Sequence, residues 1–565
     1  MDINMDPFIN NGNTNNSRDD VIGKASITKN QPNTDSKFSF WIKDDVIINP
    51  FDFVTAEQVR NTKTIGLVET ISAITDSESH LTNYVSNDFG KVDVEPNTNR
   101  ISTNIAECIV MHNTGVYDDN FGIQRSIMMP VPNENQIRFS SISEISEALG
   151  INQIKVEDRI PAGVILQSNG ISLPLYLDKR FILGPEGAHI NISGISGLAT
   201  KTSYAMFIIQ AILQNTTGNK PAVIIFNVKK DDLLGIDEPP AEDEIKELDK
   251  KLYDILKIQS TPFQNVTYFL PRGRSGGPNS FKKPHNYQIY AFALQDSIEE
   301  LDLLLSEVND PEGTIESIIY RIIEKKDDVL KDCINWEDLY GNKLDEIIKD
   351  KTIHPKSIGK FRRHVKRITG GGGSGIFVRK RNNEVHLVEK IKYIKSGEVF
   401  VIDIANLKNE EEKGFVIGNV MKTINNLYLD ENVDDDENMK DSTPKSFIIF
   451  MDELNKFAPK SSKLSSVARE IVEVSARGRS SGLILIGAEQ FKSTINVEVN
   501  ENSSTHVMGR TGSMELSSEA YKFLSPALKN NLLMLNKGEL LISHPIFRQA
   551  VKIIFPRPFY KTPRT

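Results

Sequence analysis

Residues 189–213 read HINISGISGLATKTSYAMFIIQAIL. An apolar strand (HINIS) runs into a glycine-bearing turn, then a Lys-Thr pair, then the long apolar run SYAMFIIQAILQ, which is expected to be a helix. Each part suits an anion. Gly194 and Gly197 let backbone amides turn toward phosphate oxygens, and a helix N-terminus adds partial positive charge. Lys201 has the reach for outer phosphates, and the Thr202 hydroxyl suits magnesium. The residues expected around a nucleotide are Gly194, Ser196, Gly197, Ala199, Thr200, Lys201, Thr202 and Ser203. The strict spacing G-x-x-x-x-G-K-[ST] would need glycine at Ile195 and Thr200; counted from Gly194 the loop is longer and its last glycine is replaced. A plain strand–turn–helix with a surface lysine would show the same residues, so the reading needs a second site.

That site lies further along. Downstream, AVIIFNV (222–228), FVIDIANL (400–407), SFIIFMDEL (446–454) and GLILIGAEQ (482–490) are continuous apolar strands, as expected when both faces of a sheet are covered. The helix-like KGFVIGNVMKTINNL (413–427) alternates with them, so the expected fold is a doubly wound α/β sheet. SFIIFMDEL ends in Asp452–Glu453, two carboxylates at the end of a parallel strand where such sheets bind ligands. Asp452 would enter the magnesium shell with Thr202, and Glu453 would polarise an attacking water. In SARGRSSGLILIGAEQ (475–490), Arg477 and Arg479 precede a strand ending at Glu489 and Gln490. Such an arginine can stabilise γ-phosphate charge on a neighbouring subunit, and Gln490 can sense or place the water. A solvated basic turn and a surface glutamine are the alternatives. Arg510 is a further arginine candidate.

Residues 241–258 and 297–369 show helical spacing (Ile245, Leu248, Leu252; Ile298, Leu301, Leu305; Ile315, Ile318, Ile322) and are expected to form a helical insertion closed by the glycine run 370–375. Residues 37–180 are rich in short strands such as FSFWIKDDVII (38–48) and ISTNIAECIVMHN (101–113), separated by Asn, Gly, Pro and Asp, which suggests a small barrel. Residues 1–36 are polar and expected to be a disordered arm. The ATPase-like domain would then span 181–565. Net charge is −9, so nucleic acid would need a local basic lining; Lys360–Arg367, Arg272–Arg274 and Arg379–Arg381 are basic clusters, although a charged helix face explains such clusters as well. The two cysteines, Cys108 and Cys333, argue against a disulfide framework and for a reducing compartment. No apolar run reaches membrane-spanning length, so a cytoplasmic location without membrane contact is expected.

These residues together resemble the HerA-type ATPases, hexameric P-loop motors related to the FtsK translocases. The N-terminal strands resemble the family's β-barrel, GAHINISGISGLATKT its histidine-bearing strand and phosphate loop, and LNKGELLISHPIFRQAVKIIF (535–555) its closing hairpin. The resemblance implies ATP and Mg2+ as cofactors, Lys201–Thr202 and Asp452–Glu453 as the two catalytic pairs, Arg477 or Arg479 as an intersubunit arginine and Gln490 as a sensor. It also implies a homohexamer with DNA in its central channel. Many members carry an arginine just before the loop's histidine; this chain has Ala188. The loop GISGLATKT resembles a subgroup encoded beside bacterial anti-phage effectors, sirtuin-like NAD-degrading enzymes or nucleases, which implies a separate effector docked on the barrel end.

Three functions are compatible with this reading. One is an ATP-driven DNA translocase or helicase serving an effector in phage defence. Another is a DNA-end-processing motor working with a NurA-type nuclease in repair. The third is a nucleotide-binding ring that assembles effector subunits without productive translocation.

Overall fold

The computed structural model describes residues 21–93, 95, 100–118, 120–195, 200–306, 308, 310, 312–348, 353–428 and 444–563. Its largest element is a 12-stranded sheet. Neighbouring strands run parallel in the order Thr505–Met508, Ile190–Ser193, Leu483–Glu489, Phe447–Asp452, Ala222–Asn227, Val399–Asp403, Val266–Pro271 and Tyr287–Tyr290. The antiparallel pair Glu539–Ser543 and Val551–Ile554 extends it beyond Thr505–Met508, followed by the hairpin Arg159–Leu166 and Ser172–Asp178.

The apolar strands are buried on both faces, and their alternation sorts the side chains into two cores. Val223 and Ile225 face one layer with Ile448, Phe450 and Val401. Ile224 and Phe226 face the other with Ile449, Met451 and Ile402. The helix Thr200–Asn215 covers the first face, its Tyr204, Phe207 and Ile208 wholly buried. The helices Glu410–Tyr428 and Ser466–Ser481 cover the second.

The two segments expected to form one insertion lie in different layers. Leu252, Tyr253 and Leu256 of the helix Glu247–Leu256 join the first core, whereas Ile298, Ile318, Ile322, Phe361 and Val365 join the second. The sheet stands between them, so only 297–369 builds a helical layer on the second face. The glycine run is pinned there. Arg274 Nε donates to the Gly373 carbonyl at 2.9 Å, and the Ser374 amide and hydroxyl donate to the buried Glu412 carboxylate at 2.6 and 2.7 Å. Most of the basic clusters are likewise committed within the chain. Arg272 pairs with Glu384, Arg381 with Asp296, Arg362 with Asp345 and Arg367 with Glu411.

Six strands close into a barrel: Val21–Ala25, Lys37–Ile42, Ser102–Asn113, Lys63–Thr75, Phe53–Glu57 and Gln136–Phe139. Its interior holds Phe38, Phe40, Ala106, Cys108, Val110, Val54 and Ala56 at strand period. Two boundaries differ from the sequence reading. Of the arm 1–36, residues 1–20 lie outside the described residues, and Val21–Ala25 is a barrel strand. Its Ile22 and Ala25 enter the barrel core, and Gly23 sits where an added Cβ would fall 2.0 Å from the Trp41 carbonyl. The strands between 159 and 178 belong to the large sheet, because their buried Ile160, Val164 and Leu175 pack in the first core. Residues 429–443 lie outside the described residues and include the acidic run Glu431–Asp441, whose composition reads as a solvated loop.

The barrel's outer face meets that core through Phe53, Ile65 and Leu67, together with Ile145 of the helix Ile142–Ala148. A polar clamp fixes the join. Glu144 caps its own helix through the Ser141 amide at 2.9 Å and accepts from Arg138 Nη2 at 2.6 Å and Lys63 Nζ at 2.7 Å. Burial pushes its carboxyl up, but Arg138 and Lys63 outweigh this and hold it well below the usual carboxylate range. Arg138 and Lys63 keep 29% and 34% of their side-chain surface in water, so breaking the clamp costs less than a fully buried pair would. Glu144→Gln is expected to lower unfolding stability by about 1–3 kcal/mol, read from urea midpoints at fixed protein concentration.

Candidate active site at the carboxyl edge of the sheet

Register decides what meets at this edge. Strand Leu483–Glu489 lies between the glycine-loop strand and the acidic strand, pairing Ser193 with Glu489 and Asp452 with Ala488. Gly194 leaves its strand at φ 151°, and an added Cβ would stand 3.2 Å from the Gly509 Cα. The Ile195 amide donates to the Arg510 carbonyl at 2.8 Å, tying the start of the loop to the neighbouring strand end. Ser196, Gly197 and Ala199 lie outside the described residues. The helix begins at Thr200, which is buried with Lys201, while Thr202 and Ser203 are half-buried.

Lys201 is 8% exposed, and its ammonium donates to the Gly194 carbonyl at 2.8 Å. Burial lowers its pKa, against the pull of Asp452. The Thr202 hydroxyl donates to Asp452 Oδ2 at 3.3 Å. These contacts join the first turn of the helix to the end of the acidic strand. Glu453 follows in the left-handed region, φ 56° and ψ 37°, a costly backbone for a non-glycine residue and one that recurs at functional sites. Its amide donates to Asp452 Oδ1 at 2.8 Å. Burial pushes the Glu453 carboxyl up, but Lys456 and Lys229 together hold it below its ordinary value.

No cluster of three or more His, Cys, Asp or Glu side chains able to hold a metal occurs among the described residues. Magnesium needs no such cluster: it binds through one or two protein oxygens and completes its shell with water and phosphate. The Thr202 hydroxyl and the Asp452 carboxylate, converging at one oxygen beside a helix N-terminus, fit that donor set.

The arginines divide. Arg510 is exposed at this same edge. Arg477 and Arg479 are exposed on the last turn of the helix Ser466–Ser481, at the opposite edge. There they line a cavity of about 720 Å³ with Ala188, His189 and Ser504. The strand Leu483–Glu489 separates the two edges by roughly 20 Å, so neither arginine meets Lys201 of its own chain. Arg477 Nη1 pairs with Glu473 at 2.5 Å. Gln490 is exposed at the loop edge.

Three residues not singled out from the sequence complete the site. Lys229, just past the end of Ala222–Asn227, contacts Asp452 Oδ2 at 2.8 Å and Glu453 Oε1 at 3.3 Å. Glu489 is fully buried between the glycine-loop strand and the acidic strand. Neither of its oxygens meets a hydrogen-bond partner of good geometry, although Asn191 lies alongside. Lys492, 1% exposed, lies near His506 Nδ1 at 3.1 Å and over the Phe523 ring at 5.0 Å. The buried strand AVIIFNV pointed to its own carboxyl end, so Lys229 was within reach of the sequence. Glu489 was visible as a strand end, but its complete burial was not.

No protein-family model matches the chain, and no curated protein matches it. Among solved structures it is similar to VirB4 of Thermoanaerobacter pseudethanolicus, at 16% identity over 71% of this chain and 97% of that one, TM-score 0.44. It is also similar to the bacterial conjugative coupling protein TrwB, at 11% identity over 67% and 87%, TM-score 0.43. A third is the genome packaging NTPase B204 from Sulfolobus turreted icosahedral virus 2 in complex with ATP-gammaS, at 15% identity over 30% and 72%, TM-score 0.22.

Burial pushes the Glu489 carboxyl up to about 8, against the pull of Lys492. A raised carboxyl keeps in the folded state a proton that the unfolded chain gives up above about 4.5. Its contribution therefore falls as pH rises from there toward 8. Glu489→Gln keeps the neutral shape and removes this loss. The urea midpoint of the variant is expected to gain on wild type steadily between pH 5 and pH 8; a constant difference across that range would contradict the assignment.

Proposed function

We propose that this chain is an ATP-hydrolysing motor subunit that acts on DNA as a homohexamer. The observation that carries the reading is the meeting of Lys201, Thr202 and Asp452 at one sheet edge, with a further strand between their two parent strands. In this reading Lys201 and the amides of the loop 194–200, with Ser203, bind the phosphates. Thr202 and Asp452 hold magnesium, which neutralises phosphate charge when bound. Glu453 orients the attacking water and takes up its proton, and Gln490 helps to place that water. Arg477 or Arg479, remote from its own chain's site, serves the nucleotide of the next subunit, as closed head-to-tail rings allow. Lys201→Ala is expected to abolish ATP hydrolysis. Glu453→Gln is expected to keep fluorescent-ATP binding while turnover drops about 100-fold or more. Mixing Arg479→Ala with Lys201→Ala subunits is expected to restore part of the activity if Arg479 is the arginine that reaches across, because some interfaces then join an intact arginine to an intact loop. Unchanged rates in both single variants would overturn the site, and a monomer in mass photometry with nucleotide would overturn the ring.

The resemblance of the loop GISGLATKT to ATPases encoded beside anti-phage effectors supports a finer reading. The barrel end docks a separate effector, a sirtuin-like NAD-degrading enzyme or a nuclease, and the motor serves phage defence. The barrel carries exposed apolar side chains in its loops, Ile47 at 74% and Val59 at 49%, beside the exposed Lys43 and Arg60. Charge reversal at Lys43 and Arg60 costs under about 0.5 kcal/mol of stability each. It is expected to abolish pull-down of the neighbouring gene's product; pull-down that survives these reversals and is lost on reversals at the ATPase face would place docking there.

A further inference from the structure

Asp452 keeps 5% of its side-chain surface. A carboxylate buried to that degree needs a cation or several strong donors at all times, because water cannot solvate it. In the loaded site of the proposed function, magnesium meets this need. Without nucleotide, the cation at Asp452 is Lys229. Its ammonium is 2.8 Å from Oδ2, the same oxygen that accepts from the Thr202 hydroxyl at 3.3 Å, and it reaches Glu453 Oε1 at 3.3 Å. It therefore stands on the oxygens that the metal and the water-orienting carboxylate would use.

The backbone beneath Lys229 is fixed, while its side chain is free to leave. Asn227, 1% exposed, donates to the Lys230 carbonyl at 2.7 Å and to Asp403 Oδ1 at 2.8 Å, anchoring the turn. The Lys229 side chain is 41% exposed and swings on a flexible four-carbon stem. Burial lowers its pKa, but Asp452 and Glu453 outweigh this and keep it raised. Two cations on one carboxylate oxygen repel, so metal and ammonium cannot share Oδ2.

We propose that Lys229 is a built-in counter-ion that occupies the metal position of the empty site and is displaced when metal and nucleotide enter. The proposal rests on the ATP reading above. It makes Lys229 a positioning residue: it keeps Asp452 and Glu453 in place between turnovers and prevents a free divalent cation from binding ahead of the nucleotide.

The test is a Mn2+ titration of the full-length, nucleotide-free protein followed by electron paramagnetic resonance. Lys229→Met is expected to bind Mn2+ at least tenfold more tightly than wild type. Lys229→Arg, which keeps the charge, is expected to bind as weakly as wild type. Adding Asp452→Asn to Lys229→Met is expected to remove the gain. Equal affinity in wild type and Lys229→Met, or a gain that survives Asp452→Asn, overturns the proposal; Lys229→Gln replaces the methionine variant if that one does not assemble. A parallel titration with Mn2+ and ATP separates the two readings. Wild type that binds the pair while Lys229→Met shows no gain overturns only the counter-ion. Failure of every protein to bind Mn2+ with ATP overturns both.

Discussion

A carboxyl group at the end of a wholly buried strand must either gather cations and donors or give up its charge, and this constraint organises the carboxyl edge of the sheet: Asp452 does the first, and Glu489, whose carboxyl burial pushes up, the second. Phe447–Asp452 is buried along its whole length, so Asp452 inherits burial from the strand that carries it. Three positions answer that charge: the Thr202 hydroxyl, the Lys229 ammonium and its own following amide at Glu453. Each comes from a different part of the sheet's carboxyl edge. The amide is held there by the Asp452–Glu453 peptide plane, and the left-handed backbone at Glu453 then turns the chain out of the strand into the short helix Leu454–Phe457.

The parallel sheet was legible because the strands advertise it. Runs such as AVIIFNV and SFIIFMDEL have no polar position until they end, and only a strand covered on both faces tolerates that. The barrel was legible more coarsely. Its interior strands alternate, but Val21–Ala25 offers only Ile22 and Ala25 to the core, too little pattern to separate from a polar arm. The hairpin between 159 and 178 has the composition of a barrel strand pair, and its partner Val551–Ile554 lies far along the chain; pairing over such distance leaves no local trace. Helical spacing located the segments of 241–258 and 297–369 but carries no information about which sheet face each one covers.

The site was legible where a residue type is tied to a backbone position. Lys-Thr opening a helix and Asp-Glu closing a strand are such cases, and the fold brings Lys201, Thr202, Asp452 and Glu453 to one edge. Lys229 and Glu489 were harder for opposite reasons. Lysine beyond a strand is ordinary surface chemistry until the neighbouring strand end is known. A glutamate at a strand end reads as solvated until its neighbours on both sides prove to be the buried glycine-loop and acidic strands. Departure from the strict loop spacing is also easier to understand in place. Gly194 abuts Gly509 and the Arg510 carbonyl, so the loop's first glycine is demanded by the adjacent strand end as well as by any ligand.

The two edges of the sheet divide the chemistry in a way that bears on assembly. Everything that can hold a nucleotide's phosphates lies at the carboxyl edge, while Arg477 and Arg479 sit about a strand length away around a cavity with Ala188 and His189. His189 is itself buried at φ 65°, its Nδ1 accepting from the Leu485 amide at 2.9 Å. The start of the glycine-loop strand is thereby locked to the start of the strand that follows the two arginines. A shift of the helix that carries both arginines would be transmitted through Leu485 and His189 along strands buried on both faces, which are too tightly packed to deform gradually. The arginine edge is thus joined to the Ser193–Glu489 pairing at the other end of the same two strands. On the proposed ring, an arginine edge engaged by the next chain would bear on the loop edge of its own chain through this join.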